Sequence, residues 1–151
     1  MNIRYSACKE EVRPQIEEMI FSLYREDPEG IAINSDKVHA TFARCKAYPE
    51  KAKLIAIWHE KELVGYALVV FFWSNEFGGE ILCLDELYIK KDFRCHGIGS
   101  SFIKDIPELF PETVAVHLEV APSNKRAKSL YENLGFIQNK NLTMLRIFNR
   151  Q

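Results

Sequence analysis

The chain has 151 residues, of which 47% are hydrophobic and 27% charged; this is the size and composition of one globular domain and excludes disordered, collagen-like and low-complexity classes. Lys and Arg number 20 against 21 Asp and Glu, with a pI near 6.4. No bulk positive field holds a polyanion, so nucleic acid and anionic membrane are poor main partners. Residues 1–151 are therefore read as a single domain.

The longest apolar run, Leu63 to Trp73, is well short of the roughly 18 to 20 residues that cross a bilayer, and reads as a buried strand. The opening MNIRYSACKEEVRP has charges where a secretory signal needs unbroken apolar residues, so export is not expected and the cytoplasm is the expected location. Cys8, Cys45, Cys83 and Cys95 show no C-x-x-C spacing, and His39, His59, His96 and His117 offer no paired ligands. The thiols are expected to be reduced, and no metal is expected.

Ile3 and Tyr5 suggest a first strand. Val12, Ile16, Met19, Ile20, Leu23 and Tyr24 then fall at helical spacing, and the loop Glu26-Asp27-Pro28-Glu29-Gly30 ends that helix. Ser35 and Asp36 can cap a second helix that buries Val38, Phe42 and Cys45 and stops at Tyr48-Pro49. Lys53 to His59 and Leu63 to Trp73 read as a hairpin joined by Glu60-Lys61-Glu62, and a third strand covers Glu80 to Lys90.

A glycine-rich loop follows, then a helix with Ile98, Phe102, Ile103 and Ile106 inward. Alternation of Val114, Val116, Leu118 and Val120 gives another strand. Ala127, Leu130, Tyr131 and Leu134 form a last helical stripe that ends at Gly135, and a closing strand runs from about Leu142 to Phe148. The order β-α-α-β-β-β-α-β-α-β predicts an α/β domain with a mixed, mostly antiparallel sheet.

The loop Arg94-Cys95-His96-Gly97-Ile98-Gly99-Ser100 stands where a strand gives way to a helix amino terminus. Glycines there allow positive φ and close backbone approach, and unpaired N–H groups favour a phosphate or pyrophosphate. A tight strand-to-helix turn is the plain alternative. A Walker loop needs a lysine after its last glycine, where Ser100 stands, and a dinucleotide fingerprint needs a small residue where Phe102 stands. Neither rival fits.

The motif Arg94-x-x-Gly97-x-Gly99 after a strand reading LDELYI, followed by LEVAPSN and the helix NKRAKSLYENLGF, resembles the GNAT superfamily of acyl-CoA-dependent N-acyltransferases, nearest to polyamine- and thialysine-type acetyltransferases. The resemblance implies acetyl-CoA as cosubstrate. It implies that Leu87, Tyr88 and Ile89 pair with the pantetheine arm, that Cys95, His96, Gly97, Ile98, Gly99 and Ser100 form the pyrophosphate cradle, and that Arg94 belongs to the cofactor-binding residues. Asn124 and Ala127 would serve the arm, and Tyr131 would be the proton donor. The family often has Gly at the place of Cys95 and Lys or Arg at that of His96, so this loop gives up some flexibility and charge.

The chemistry asks for a base, because an alkylamine with a pKa near 10.4 is almost wholly protonated at neutral pH. The stretch Ile81 to Ile89 is apolar except for Asp85 and Glu86, and alternation places them on opposite faces, one of them inward if both faces are covered. Asp85 is favoured as a base acting through water, since the resembling polyamine and thialysine acetyltransferases carry an acidic pair here and its first member is commonly implicated. Glu86 is the runner-up, and two acids at a solvated strand end is the plain alternative. A phenol suits the departing thiolate, and a backbone N–H near Leu87 or Tyr88 would serve the oxyanion. Cys83 and Cys95 have no fixed basic partner in the sequence, so direct transfer is preferred to an acyl-enzyme.

Residues 1 to 36 hold eight acids against four bases, leaving the remainder slightly basic. That division suits a small cationic amine opposite an anionic cosubstrate, or simply a solvated helix face. A homodimer could complete the acceptor pocket. A reading from another class is a non-catalytic coenzyme A-binding or interaction domain on the same scaffold.

Overall fold

The structure, a computed structural model, describes residues 2–27 and 30–149; Pro28 and Glu29 of the expected loop lie outside the described residues. Residues up to Glu119 form one compact unit and those from Val120 a second.

The first unit is built on a five-stranded sheet in the order β1-β2-β3-β4-β5. Its strands are β1 (Ile3–Ala7), β2 (Ala52–His59), β3 (Glu62–Ser74), β4 (Gly79–Ile89) and β5 (Thr113–His117). The first four run antiparallel to their neighbours. β5 lies parallel to β4, reached through a crossover helix. Helices α1 (Arg13–Glu26) and α2 (Ser35–Ala47) precede β2, and α3 (Ile98–Leu109) is the crossover. The expected mixed, mostly antiparallel sheet flanked by helices is thus what the chain forms.

One side of the sheet packs under α1 and α2. Ile16, Met19 and Ile20 of α1 and Val38 and Phe42 of α2 meet Leu54, Ala56, Leu63, Tyr66, Leu68 and Tyr88, the i, i+3, i+4 stripe having found an apolar sheet face. On the other side α3 buries Ile98, Phe102, Ile103 and Ile106, with Phe102 edge-on to Tyr5 at 5.3 Å. The β2–β3 turn is tight, and Glu60 takes a left-handed φ of 55° to close it. A Cβ at Gly65 would run into the Tyr88 carbonyl, so β3 needs glycine there to lie close against the end of β4.

Three sequence expectations are corrected. Asn34, not Ser35 or Asp36, caps α2, its side chain accepting from the Lys37 N–H at 2.9 Å. The last strand of the sheet stops at His117 rather than Val120, because its ladder with β4 ends at the Cys83–His117 pair. The segment from Leu142 to Phe148 is not a strand: apolar alternation alone does not make one, and among the described residues none of its backbone joins a ladder.

The second unit contains α4 (Lys125–Asn133). Asn124 caps it by accepting from the Ala127 N–H at 3.2 Å. Gly135, with φ of 92°, follows the helix end as the sequence pattern suggests.

Candidate active site

β4 has two halves. From Glu80 to Cys83 it is laddered to β3 on one side and β5 on the other. From Leu84 to Ile89 it keeps β3 alone, so the edge that holds Leu87, Tyr88 and Ile89 has no strand beside it among the described residues. Such an edge presents backbone donors and acceptors to an extended ligand.

The division is marked by a bulge. Val69 pairs with Leu84 and Leu68 with Glu86, so Asp85 is an extra residue between two rungs. Leu68 and Val69 are consecutive and face opposite sides of the sheet; their partners Leu84 and Glu86, two residues apart, therefore do the same. This overturns the expectation that simple alternation sets the directions of Asp85 and Glu86.

Glu86 is the inward acid. Its Oε2 accepts from the Tyr24 hydroxyl at 2.6 Å and its Oε1 from the Tyr66 hydroxyl at 2.8 Å, lengths of charge-assisted bonds. Burial pushes the Glu86 carboxyl up, both phenols pull it back, and Asp85 adds a further upward push. The phenols of Tyr24 and Tyr66 are raised well above their usual range, chiefly by burial and by Glu86, with Asp85 adding to the effect. Asp85 is more exposed and accepts no hydrogen bond from the described residues. Partial burial of its carboxyl and the charge of Glu119 raise its pKa above the ordinary aspartate value.

Nothing in the local sequence singles out Tyr24 or Tyr66. Tyr24 lay on a helical stripe and Tyr66 within an apolar run, where a phenol and a core aromatic read alike. The Cys83 thiol also acquires a neighbour unseen in the sequence, His117 Nδ1 at 3.7 Å. Burial, Asp85 and Glu119 nevertheless raise the thiol pKa, which disfavours the thiolate that an acyl-accepting cysteine needs.

Past β4, a short turn Lys91–Phe93 leads to Arg94. The Arg94 Nε donates to the Ile89 carbonyl at 2.7 Å, one terminal nitrogen reaches both oxygens of Glu26 at 3.0 Å, and the guanidinium lies 5.1 Å from the Tyr88 ring centre. Its side chain thus fastens the end of β4 to the end of α1. Cys95 follows with φ of 65° and Gly97 with φ of 77°. Gly97 is the cap of α3, and neither a capping side chain nor an acidic residue stands in the first turn. The first intrahelical bond is from Ser101 N–H to the Gly97 carbonyl. The N–H groups of Ile98, Gly99 and Ser100 remain for a ligand.

The glycines fit a large anionic group. A Cβ at Gly99 would meet only ordinary contacts with Leu87 and Ile89, and one at Gly97 would meet nothing within 4 Å. Packing of the chain itself does not require a bare backbone at Gly99, whereas close approach of a pyrophosphate does.

In the second unit, Asn124, Ala127 and Tyr131 are brought together on α4. The Asn124 carboxamide oxygen serves the cap, and its NH2 is the part that the cap does not use. The Tyr131 ring lies 5.8 Å from that of Phe136, and burial raises its phenol.

An open strand edge, a helix amino terminus whose cap Gly97 offers no side-chain acceptor, and an acidic pair at the β4 bulge belong to one α/β unit, an arrangement that suits an extended anionic ligand. Residues 17–136 match the acetyltransferase (GNAT) family, and the chain belongs to it. It is 37% identical over 75 residues to the thialysine N-epsilon-acetyltransferases of Bos taurus and of Sus scrofa, a stretch that covers 48% of this chain and 44% of each relative. The alignment thus spans less than half the length of those curated relatives. A possible acetyltransferase from Clostridium difficile 630 superposes with a TM-score of 0.81 at 21% identity, covering 99% of this chain and 100% of that one; this likeness shows the fold.

Proposed function

We propose that the protein transfers an acetyl group from acetyl-CoA to the primary amine of a small cationic acceptor by direct attack, residues 1–151 acting as one catalytic domain. The observation that carries this reading is the half-laddered end of β4, open from Leu84 to Ile89, with the glycine loop after it leading into the amino terminus of α3, where no side chain caps the free N–H groups. Bound acetyl-CoA supplies an activated thioester. Leu87, Tyr88 and Ile89 hold its arm, residues Arg94 to Ser100 its pyrophosphate, and Asn124 and Ala127 assist.

Asp85 takes the proton of the incoming ammonium through water. Its raised pKa and lack of donors suit it to that task better than Glu86, whose two oxygens already accept from phenols. Glu86 keeps the acid pair in place and adds negative charge that attracts a cation. Tyr131 gives its proton to the departing thiolate, and a backbone N–H near Leu87 or Tyr88 meets the oxyanion. The same reading expects a cytoplasmic homodimer acting on a small molecule, with no metal, nucleic acid or membrane. No helix among the described residues is long and apolar enough to cross a membrane.

Thiol release from acetyl-CoA with a panel of amines tests the proposal. Turnover is expected to drop at least about 100-fold in Asp85→Asn and in Tyr131→Phe, the scale of general acid–base catalysis. Coenzyme A binding without turnover on any amine would favour a binding module. Turnover untouched by both substitutions would keep the enzyme and defeat these roles.

A further inference from the structure

A cleft of about 300 Å³ opens between α2 and the side of the sheet that α1 and α2 cover. α2 contributes Ala40, Thr41 and Arg44, and the sheet contributes Ala52, Leu68 and Val70. The three helix residues share one face, because residues three and four apart stand one above the other. Leu68 pairs with Leu54 and Val70 with Ala52, so the floor prolongs the apolar core face on β2 and β3. Its α2 wall is cut back to an alanine and a threonine, and the Thr41 hydroxyl already donates to the Lys37 carbonyl at 3.1 Å. The interior of the cleft therefore rewards an apolar body.

One end of the cleft is positive. Arg44 is the one charged residue among the described residues that line it. Its guanidinium lies 4.3 Å from the centre of the Tyr48 ring, and the ammonium of Lys51, which precedes Ala52 in the chain, lies 5.7 Å from the same centre. Neither cation has a carboxylate within ion-pair distance among the described residues. The dipole of α2 accounts for one cation in its last turn, but Lys51 stands outside the helix. Two like charges gathered on one ring repel, and an anion beside them relieves that repulsion. The planar fork of a guanidinium matches a carboxylate.

We infer that this cleft is a second ligand site, which takes an aliphatic monocarboxylate: the carboxylate sits on Arg44 with Lys51 nearby, and the chain lies over Ala40, Leu68 and Val70. None of the residues proposed for acetyl transfer lines it, so the site stands whether or not Asp85 and Tyr131 have the roles given above. An amine of the same shape would set cation against cation. An alcohol would leave the guanidinium without its charge partner.

The experiment is a titration of the whole chain, in the presence of excess coenzyme A, with butanoate, pentanoate, hexanoate, hexylamine and hexanol, followed by backbone amide NMR shifts. Coenzyme A competes the carboxylates away from the amino terminus of α3. Saturable shifts are expected at Ala40, Thr41, Arg44, Leu68 and Val70. Each added methylene from butanoate to hexanoate should tighten binding about fourfold, and hexanoate should bind at least about tenfold tighter than hexylamine or hexanol. Arg44→Gln should remove the advantage over hexanol and keep the gain with chain length. Ala40→Leu, which fills the cleft, should remove the gain with chain length, and thermal melts confirm that each variant is folded. Shifts confined to residues 97–100, equal binding of hexylamine, affinity independent of chain length, hexanoate binding untouched by Arg44→Gln, or no saturable shift at the cleft each overturns the inference.

Discussion

The two halves of β4 share one strand and one neighbour, yet they serve different ends. Between Glu80 and Cys83 every rung is taken on both sides and Leu82 is fully buried, so that half is fixed by its ladder and its packing. Between Leu84 and Ile89 one edge is open, an extra residue interrupts the register, and two carboxylates sit among residues that are otherwise apolar from Ile81 to Ile89. The contrast teaches where this fold makes room for chemistry: at the place where a parallel neighbour stops, and not where the sheet is complete.

The largest effect expected from breaking this contrast is on stability in the laddered half. Leu82→Ala should cost about 3 kcal/mol, while Leu87→Ala, at a half-buried position in the open half, should cost about 1 kcal/mol; urea denaturation of the two variants measures the difference. Next is the phenol pair. Tyr66→Phe removes a charge-assisted donor from Glu86 and should destabilise by about 1.5 to 3 kcal/mol at pH 7. That loss should shrink as pH falls and Glu86 takes up its proton, since a neutral carboxyl needs the donor less.

Smaller again is the loop. Cys95 holds a left-handed φ that glycine adopts without strain, so Cys95→Gly should raise stability by about 0.5 kcal/mol, the relief being partly offset by the greater entropy of the unfolded chain. A thermal melt would show it. The finest adjustment concerns Asp85, whose folded pKa lies above its unfolded one. Ionising it therefore favours the unfolded state, and stability falls as pH rises from the ordinary aspartate value through the folded one. Asp85→Asn should remove that fall and, on the proposed role of Asp85, lower turnover at least about 100-fold. Glu119→Gln withdraws a charge that raises Asp85, so the acidic limb of kcat/KM should move to lower pH.

Much of this was legible in the sequence. The α1 and α2 stripes, the β2–β3 hairpin and the glycine loop each rest on a local signal, namely a period, a turn residue or a positive φ, and each appears where its residues suggest. What was not legible depends on pairs of strands. The bulge at Asp85 is a mismatch of register between β3 and β4, and LCLDELYI alone reads as regular alternation. Val120 and Leu142 to Phe148 have strand-like patterns, but pairing decides, and these stretches are not in the ladder. The clamp on Glu86 joins residues 62 and 20 positions away, which no window along the chain contains.

The last turn of α1 carries two tethers, Tyr24 to Glu86 and Glu26 to Arg94. They sit two residues apart on a helix that turns about 100° and rises about 1.5 Å per residue. Inserting or deleting one residue before Tyr24 would swing both side chains off their partners together. Grafting a different first helix onto this scaffold would thus release Glu86 and Arg94 together, loosening both the bulge of β4 and the loop before α3, unless those two residues are redesigned with the graft.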